Sequence, residues 1–183
     1  MNPAHVFLLP GWHNSGPAHW QSRWEAEYGY MRVQQHDWAR PLRGDWLMQL
    51  EEAILNGGQT PIILVAHSLG CIQVAAWAAH SKNTQRVKAA LLVAPGDVER
   101  EEVRALLPSW SPIVREPLSF KSMVVASRDD PHCAFARAES LARDWGAELV
   151  DIGAVGHING DSGLDNWPQG HALLCRLMDS QIS

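Results

Sequence analysis

The sequence predicts an α/β fold in three layers, a mainly parallel six-stranded sheet between helices. Three observations carry that expectation. Short apolar runs rich in β-branched residues and leucine alternate regularly with helical patterns along the chain. Such alternation implies a sheet covered on both faces, with ligand chemistry at the carboxyl ends of its strands. One run, Pro61 to Ala66, stops abruptly at Ser68 and gives way at once to an alanine-rich helical stretch, Leu69 to His80. No internal repeat, low-complexity tract or linker divides the chain, so one domain spanning residues 1–183 is expected.

Taken in order, His5 to Leu9 reads as a buried first strand, and Pro10 to Gly16 as a glycine-rich loop opening a helix with Pro17 near its start. In that helix Trp20, Trp24 and Tyr28 fall at i, i+4 and i+8, an aromatic stripe of the kind that packs on a sheet. Met31 to Gln35 forms a short second strand. The next helix presents Trp46, Leu47, Leu50, Ala53 and Ile54 on one face and ends at Gly57-Gly58. The third strand and its helix follow, then a fourth strand from Val87 to Val93. Between Val98 and Phe120 there is room for one short helix, Glu99 to Leu107; beyond it Pro108, Pro112 and Pro117 exclude a long helix or a central strand. This irregular apolar segment reads equally as a surface connection or as a pocket wall. Met123 to Ala126 and Glu148 to Ile152 are the last strands. Helices from Ala134 to Trp145 and from Trp167 to Met178 complete the pattern.

Bulk composition narrows the function. With 15 Lys and Arg against 20 Asp and Glu, the net charge of −5 and the lack of a basic patch argue against a nucleic-acid or anionic-membrane surface. A chain of 183 residues, 46% of them hydrophobic, suffices for one core that removes about 70% of the unfolded surface from water. The first residues lack a positive n-region, and the apolar run behind them ends at Pro10-Gly11, too short for a signal sequence or a span, so a cytoplasmic protein is expected. Cys71, Cys133 and Cys175 are odd in number and far apart, which suggests neither a disulfide framework nor a thiolate zinc site.

The strand–Ser68–helix junction is where chemistry is expected. A turn that tight strains the serine backbone and lifts its hydroxyl clear of the sheet edge, and it closes only if the residues two before and two after are small. Ala66 and Gly70 meet that need, with one methyl more than the usual glycine at the first position. A serine hydroxyl needs a base to take its proton as it attacks a carbonyl carbon. Among nine histidines, His157 alone follows a predicted strand in a loop with glycine just before it; His67 adjoins the serine but points along the turn, and His171 is on the last helix. The base needs a carboxylate to fix its tautomer. Asp129 and Asp130 compete, and Asp130 is preferred because it begins the turn at Pro131, while Asp129 is better placed to bond the loop backbone; Asp97 is a weaker third. For the oxyanion, the backbone N–H groups of Leu69 and Trp12 are the expected donors.

The 10–16 loop has no lysine and matches neither nucleotide fingerprint, so a phosphate cradle is a weak reading. A metal site built from His13, His19, His132 or His157 is also weak, since no spacing sets two of them on one helix face.

Pro10-Gly11-Trp12 before His19-Trp20, Pro41-Leu42 with Trp46, Ala66-His67-Ser68-Leu69-Gly70-Cys71, Ser127-Arg128-Asp129-Asp130-Pro131 and Gly156-His157 together resemble the small YdeN-like serine hydrolases, relatives of retinoblastoma-binding protein nine. The likeness runs over nearly the whole chain. It implies a minimal α/β-hydrolase without a cap domain, sheet order 2-1-3-4-5-6, and Ser68, Asp130 and His157 at the triad positions. Pro10-Gly11 departs from the His-Gly of many α/β-hydrolases. The expected activity is cofactor-free and metal-independent hydrolysis of small esters, with thioesters and short amides as further candidates. Trp12, Trp110, Ile113 and Phe120 are the expected apolar lining of the substrate pocket. The rival expectation is a protein-binding module that keeps the fold without the chemistry.

Overall fold

The computed structural model describes residues 4–179. Its strands are β1 (His5–Leu9), β2 (Met31–Arg32), β3 (Ile62–His67), β4 (Val87–Val93), β5 (Lys121–Ala126) and β6 (Glu148–Asp151). Between and after them run helices α1 (Trp20–Tyr28), α2 (Arg43–Asn56), α3 (Leu69–His80), α4 (Glu101–Leu106), α5 (Phe135–Asp144) and α6 (Pro168–Asp179). All pairings are parallel and the order is β2-β1-β3-β4-β5-β6, the α/β-hydrolase arrangement that was expected.

Period-two alternation along each strand builds two cores. Phe7, Leu9, Leu64, Ala66 and Leu92 face one side, where they meet Trp46, Leu50 and Ile54 of α2, the apolar face of α3, and Leu141 of α5. Val6, Leu8, Val65, Leu91 and Val125 face the other, against Trp20 and Trp24 of α1 and Leu174 and Leu177 of α6. Each fully buried aliphatic side chain in these layers contributes about 1.5–3 kcal/mol of transfer free energy. Because both faces are covered, β3 is buried along its whole length.

Several boundaries shift for local reasons. Helix α1 starts at Trp20, beyond Pro17, because the His19 Nδ1 accepts from the Gln21 amide and caps it. Strand β2 is only two residues long. The Val33 amide makes one more bond, to the Leu8 carbonyl, and Gln35 is then drawn inward to donate to Gln73. Of the aromatic stripe, Trp20 and Trp24 are buried as expected, and Tyr28 is 40% exposed. The 98–120 segment forms α4, a 3-10 turn (Pro108–Trp110), and irregular chain down to β5. It is pinned by Glu99, which accepts from the Ile113 amide, Arg115 and Arg137. Among the described residues there is no separate cap domain.

Candidate active site

Ser68 stands between β3 and α3 with φ 55° and ψ −119°, a backbone conformation that non-glycine residues avoid. The sequence forces it there. A side chain on Gly70 would overlap the Leu9 carbonyl, and one on Gly11 would come within 2.8 Å of the Ser68 Cβ, so β1, its loop and the turn pack backbone to backbone. The strained turn raises the hydroxyl above the carboxyl edge of the sheet, into a cleft of about 510 Å³.

Ser68 Oγ lies 3.0 Å from His157 Nε2. On the other side of that ring, Nδ1 is 2.9 and 2.8 Å from the two carboxylate oxygens of Asp130. A carboxylate only accepts, so Nδ1 carries the proton and Nε2 is free to receive the one on Ser68. The Asp130 side chain is 3% exposed and that of His157 9%, so the pair works away from bulk water. Asp130 also accepts from the His132 amide at 2.8 Å, which fixes the carboxylate on the β5–α5 turn.

The neighbouring acids serve other ends. Asp129 accepts from Ser127 Oγ and from the Gly156 amide, each at 2.8 Å, and so ties the loop after β5 to the loop carrying the base. Those same bonds, the Gly156 amide foremost, hold its carboxyl below the ordinary range. Asp97 accepts from the Glu99 amide and pairs with Arg137 at 3.4 Å.

The glycine-rich loop is held by Arg32, whose guanidinium is nearly buried. It donates to Asn14 Oδ1 at 2.6 Å and to the Ser15 carbonyl at 2.9 Å, and pairs with Glu25 at 2.6 Å. That clamp fixes Asn14 and Ser15, in the same loop as Gly11, whose backbone packs against the nucleophile. Gly96 approaches Ser68 from the loop after β4: a methyl on it would lie 3.4 Å from Ser68 Oγ and 3.8 Å from the Leu69 nitrogen, where a reacting carbonyl must sit.

The expected pocket lining needs correction. Trp12 lines the cleft, but Trp110, Ile113 and Phe120 do not line it and belong to the core that α2, α3 and α5 cover. Trp110 donates to the Pro41 carbonyl at 2.9 Å and packs edge-on against Trp46, partners that draw it inward. The apolar wall comes instead from Val98, Val103 and Leu107 at the start of the same segment. Val103 and Leu107 lie four apart on the short helix expected there, a spacing that could have marked them.

From the sequence, His67 is expected to point along the turn and Trp20 only to pack on the sheet, whereas their side chains reach the loop of the base at 2.9 and 2.8 Å. Four imidazoles crowd this corner: His67 lies 4.6 Å from His19 and 4.8 Å from His157, and His132 meets His157 edge-on at 4.5 Å. Burial lowers the pKa of His19 to about 3 and that of His67 well below its ordinary value, so both stay neutral. Among the described residues no group of three or more His, Cys, Asp and Glu side chains is arranged to hold a metal ion, and no helix is long and apolar enough to cross a membrane.

Comparison with known proteins agrees with this fold. A YdeN-like hydrolase from Pectobacterium atrosepticum superposes with a TM-score of 0.83 at 29% identity, over 96% of this chain and 91% of that one. The ydeN gene product of B. subtilis does so with a TM-score of 0.75 at 21% identity, over 97% and 100%. Esterase 2 of Thermogutta terrifontis shares the fold at a TM-score of 0.71 and 19% identity, over 98% and 83%. No curated protein matches the chain in sequence. The family model described as serine hydrolase matches residues 6–176, and the chain accordingly belongs to the serine hydrolase family.

Proposed function

We propose that the protein is a carboxylesterase-like enzyme, working as one domain, that cleaves small esters through an acyl-Ser68 intermediate. The observation that carries this reading is the unbroken line from Ser68 Oγ through the His157 ring to Asp130, each step 3.0 Å or less. His157 Nε2 takes the proton as Oγ attacks the carbonyl carbon, and Asp130 stabilises the imidazolium that forms. The N–H groups of Leu69 and Trp12 receive the oxyanion, a role in which one donor is typically worth about a hundred- to a thousand-fold in rate. The imidazolium then protonates the departing alcohol. Water, activated by the same ring, releases the acid and restores Ser68.

Substrate preference follows from the walls. Val98, Val103 and Leu107 offer an apolar surface beside Ser68, and the charged side chains lining the cleft, Asp97 and Asp161, are both acidic. A neutral acyl group therefore fits and a carboxylate-bearing one does not. The three cysteines, all unpaired, suit a cytoplasmic enzyme. Hydrolysis of a series of nitrophenyl esters by wild type and Ser68→Ala tests the proposal. Turnover of neutral acyl esters that vanishes in the variant supports it. Equal turnover by the variant, or a preference for anionic acyl groups, overturns it.

A further inference from the structure

The loop that carries the base has its two central carbonyls gripped from outside. His67 Nε2 lies 2.9 Å from the His157 carbonyl oxygen, and Trp20 Nε1 donates to the next carbonyl, that of Ile158, at 2.8 Å. A carbonyl can only accept, so the His67 proton resides on Nε2 and the imidazole is a fixed donor. His67 and Trp20 are 5% and 1% exposed, so water does not compete for either bond. Ile158 is held at φ 49°, a left-handed conformation that a β-branched residue does not adopt unless its surroundings impose it.

The origin of the grip matters as much as its strength. His67 is the last residue of β3 and the immediate neighbour of Ser68, so one rigid strand end carries the nucleophile and also holds the main chain of the base, 90 residues away in sequence. Asp130 fixes the far side of the His157 ring, and Asp129 and Ser127 hold the amides of Gly156 and Val155. Among the described residues, the bonds from His67 and Trp20 are the ones that hold the carbonyls of His157 and Ile158. We infer that His67 and Trp20 are positioning residues, a two-point clamp on the backbone of His157 and Ile158 that sets the distance from His157 Nε2 to Ser68 Oγ. His67 suits the task because it stays neutral beside the imidazolium that His157 becomes, where a cation would oppose catalysis. A misplacement of about 1 Å at reacting atoms can cost about a hundred-fold in rate.

This inference rests on the assignment of Ser68 and His157 proposed above, and the experiment separates the two. Steady-state hydrolysis of a neutral nitrophenyl ester, with thermal midpoints, is measured for wild type, Ser68→Ala, His67→Met, His67→Gln and Trp20→Phe. The methionine variant keeps bulk and loses the donor, the glutamine amide can present an N–H where Nε2 stood, and Trp20→Phe keeps an aromatic ring but deletes the N–H together with part of the buried indole, so its kcat is compared with its thermal midpoint. The expected result is a kcat roughly 10- to 100-fold lower in His67→Met and Trp20→Phe with KM within about twofold, and substantial recovery of kcat in His67→Gln. Unchanged kcat in His67→Met and Trp20→Phe, or a His67→Gln variant no better than His67→Met at equal thermal midpoint, overturns the clamp and leaves the nucleophile assignment intact. Full turnover in Ser68→Ala removes both. If His67→Met does not fold, Trp20→Phe decides by the same criterion.

Discussion

Mild acid should destabilise this protein in a window where carboxylates are still ionised, and His19 is the residue to follow. Its ring is 6% exposed, it caps α1 through Nδ1, and burial lowers its pKa from 6.5 to about 3, with Arg32 and His157 adding to the effect. In the unfolded chain the imidazole takes up its proton as pH falls through about 6.5, whereas in the folded protein it does not do so until about 3. The unfolded state therefore binds more protons between those values, and stability falls as pH falls. Between about pH 7.5 and pH 5 the loss from this one residue is RT ln(1 + 10^1.5), about 2 kcal/mol, a sizeable part of a typical domain's stability. His67, His132 and His171 have lowered pKa values too and add to the slope in the same direction. Urea unfolding at the two pH values measures it. His19→Asn isolates the His19 share, since asparagine is a good N-cap and does not titrate. The variant starts less stable because it leaves a gap, so the comparison is of slopes: its loss between the two pH values should be smaller than wild type's by about 2 kcal/mol. Equal slopes would refute the claim that His19 is buried as a neutral ring.

Other outcomes follow from the site. Asp130→Asn should lower kcat by about ten-thousand-fold, the scale on which a triad histidine held in the wrong tautomer loses activity, whereas Asp129→Asn should act mainly on thermal stability by weakening its bonds to Ser127 and Gly156; steady-state kinetics and melting of both variants distinguish the roles. Gly96→Ala puts a methyl 3.4 Å from Ser68 Oγ, in the space the substrate carbonyl needs, and should lower kcat/KM for esters by roughly 10- to 100-fold while the thermal midpoint stays near wild type; an unchanged kcat/KM would show that the carbonyl enters from elsewhere.

The fold was legible because local and global signals agree. Strands β3 and β4 are apolar runs, broken in β4 only by the exposed Lys88 and closed in β3 by His67; each ends at a small residue, Ser68 or Ala94, and is followed by chain able to cross back over the sheet. The order of strands came from the resemblance, since apolar runs do not say which of them are neighbours. Ser68, Asp130 and His157 could be nominated because each sits just beyond a strand's carboxyl end, where the fold gathers side chains distant in sequence. What stayed hidden depends on contacts without local pattern. The segment after α4 has no period, so nothing in it shows that Trp110 turns toward Trp46 and Pro41. Met31 to Gln35 has the composition of a longer strand, but its chain leaves the ladder after Val33, where Gln35 turns toward Gln73 of α3. The grip of His67 on the His157 carbonyl spans 90 residues, and no spacing in the sequence announces it.

The most direct trial of the account is the mass of the protein and of its peptides after exposure to a fluorophosphonate. The account predicts one phosphonyl group per chain, attached to Ser68, absent in Ser68→Ala and formed much more slowly in His157→Ala. An unlabelled wild-type protein, or a label on any other residue, would contradict it.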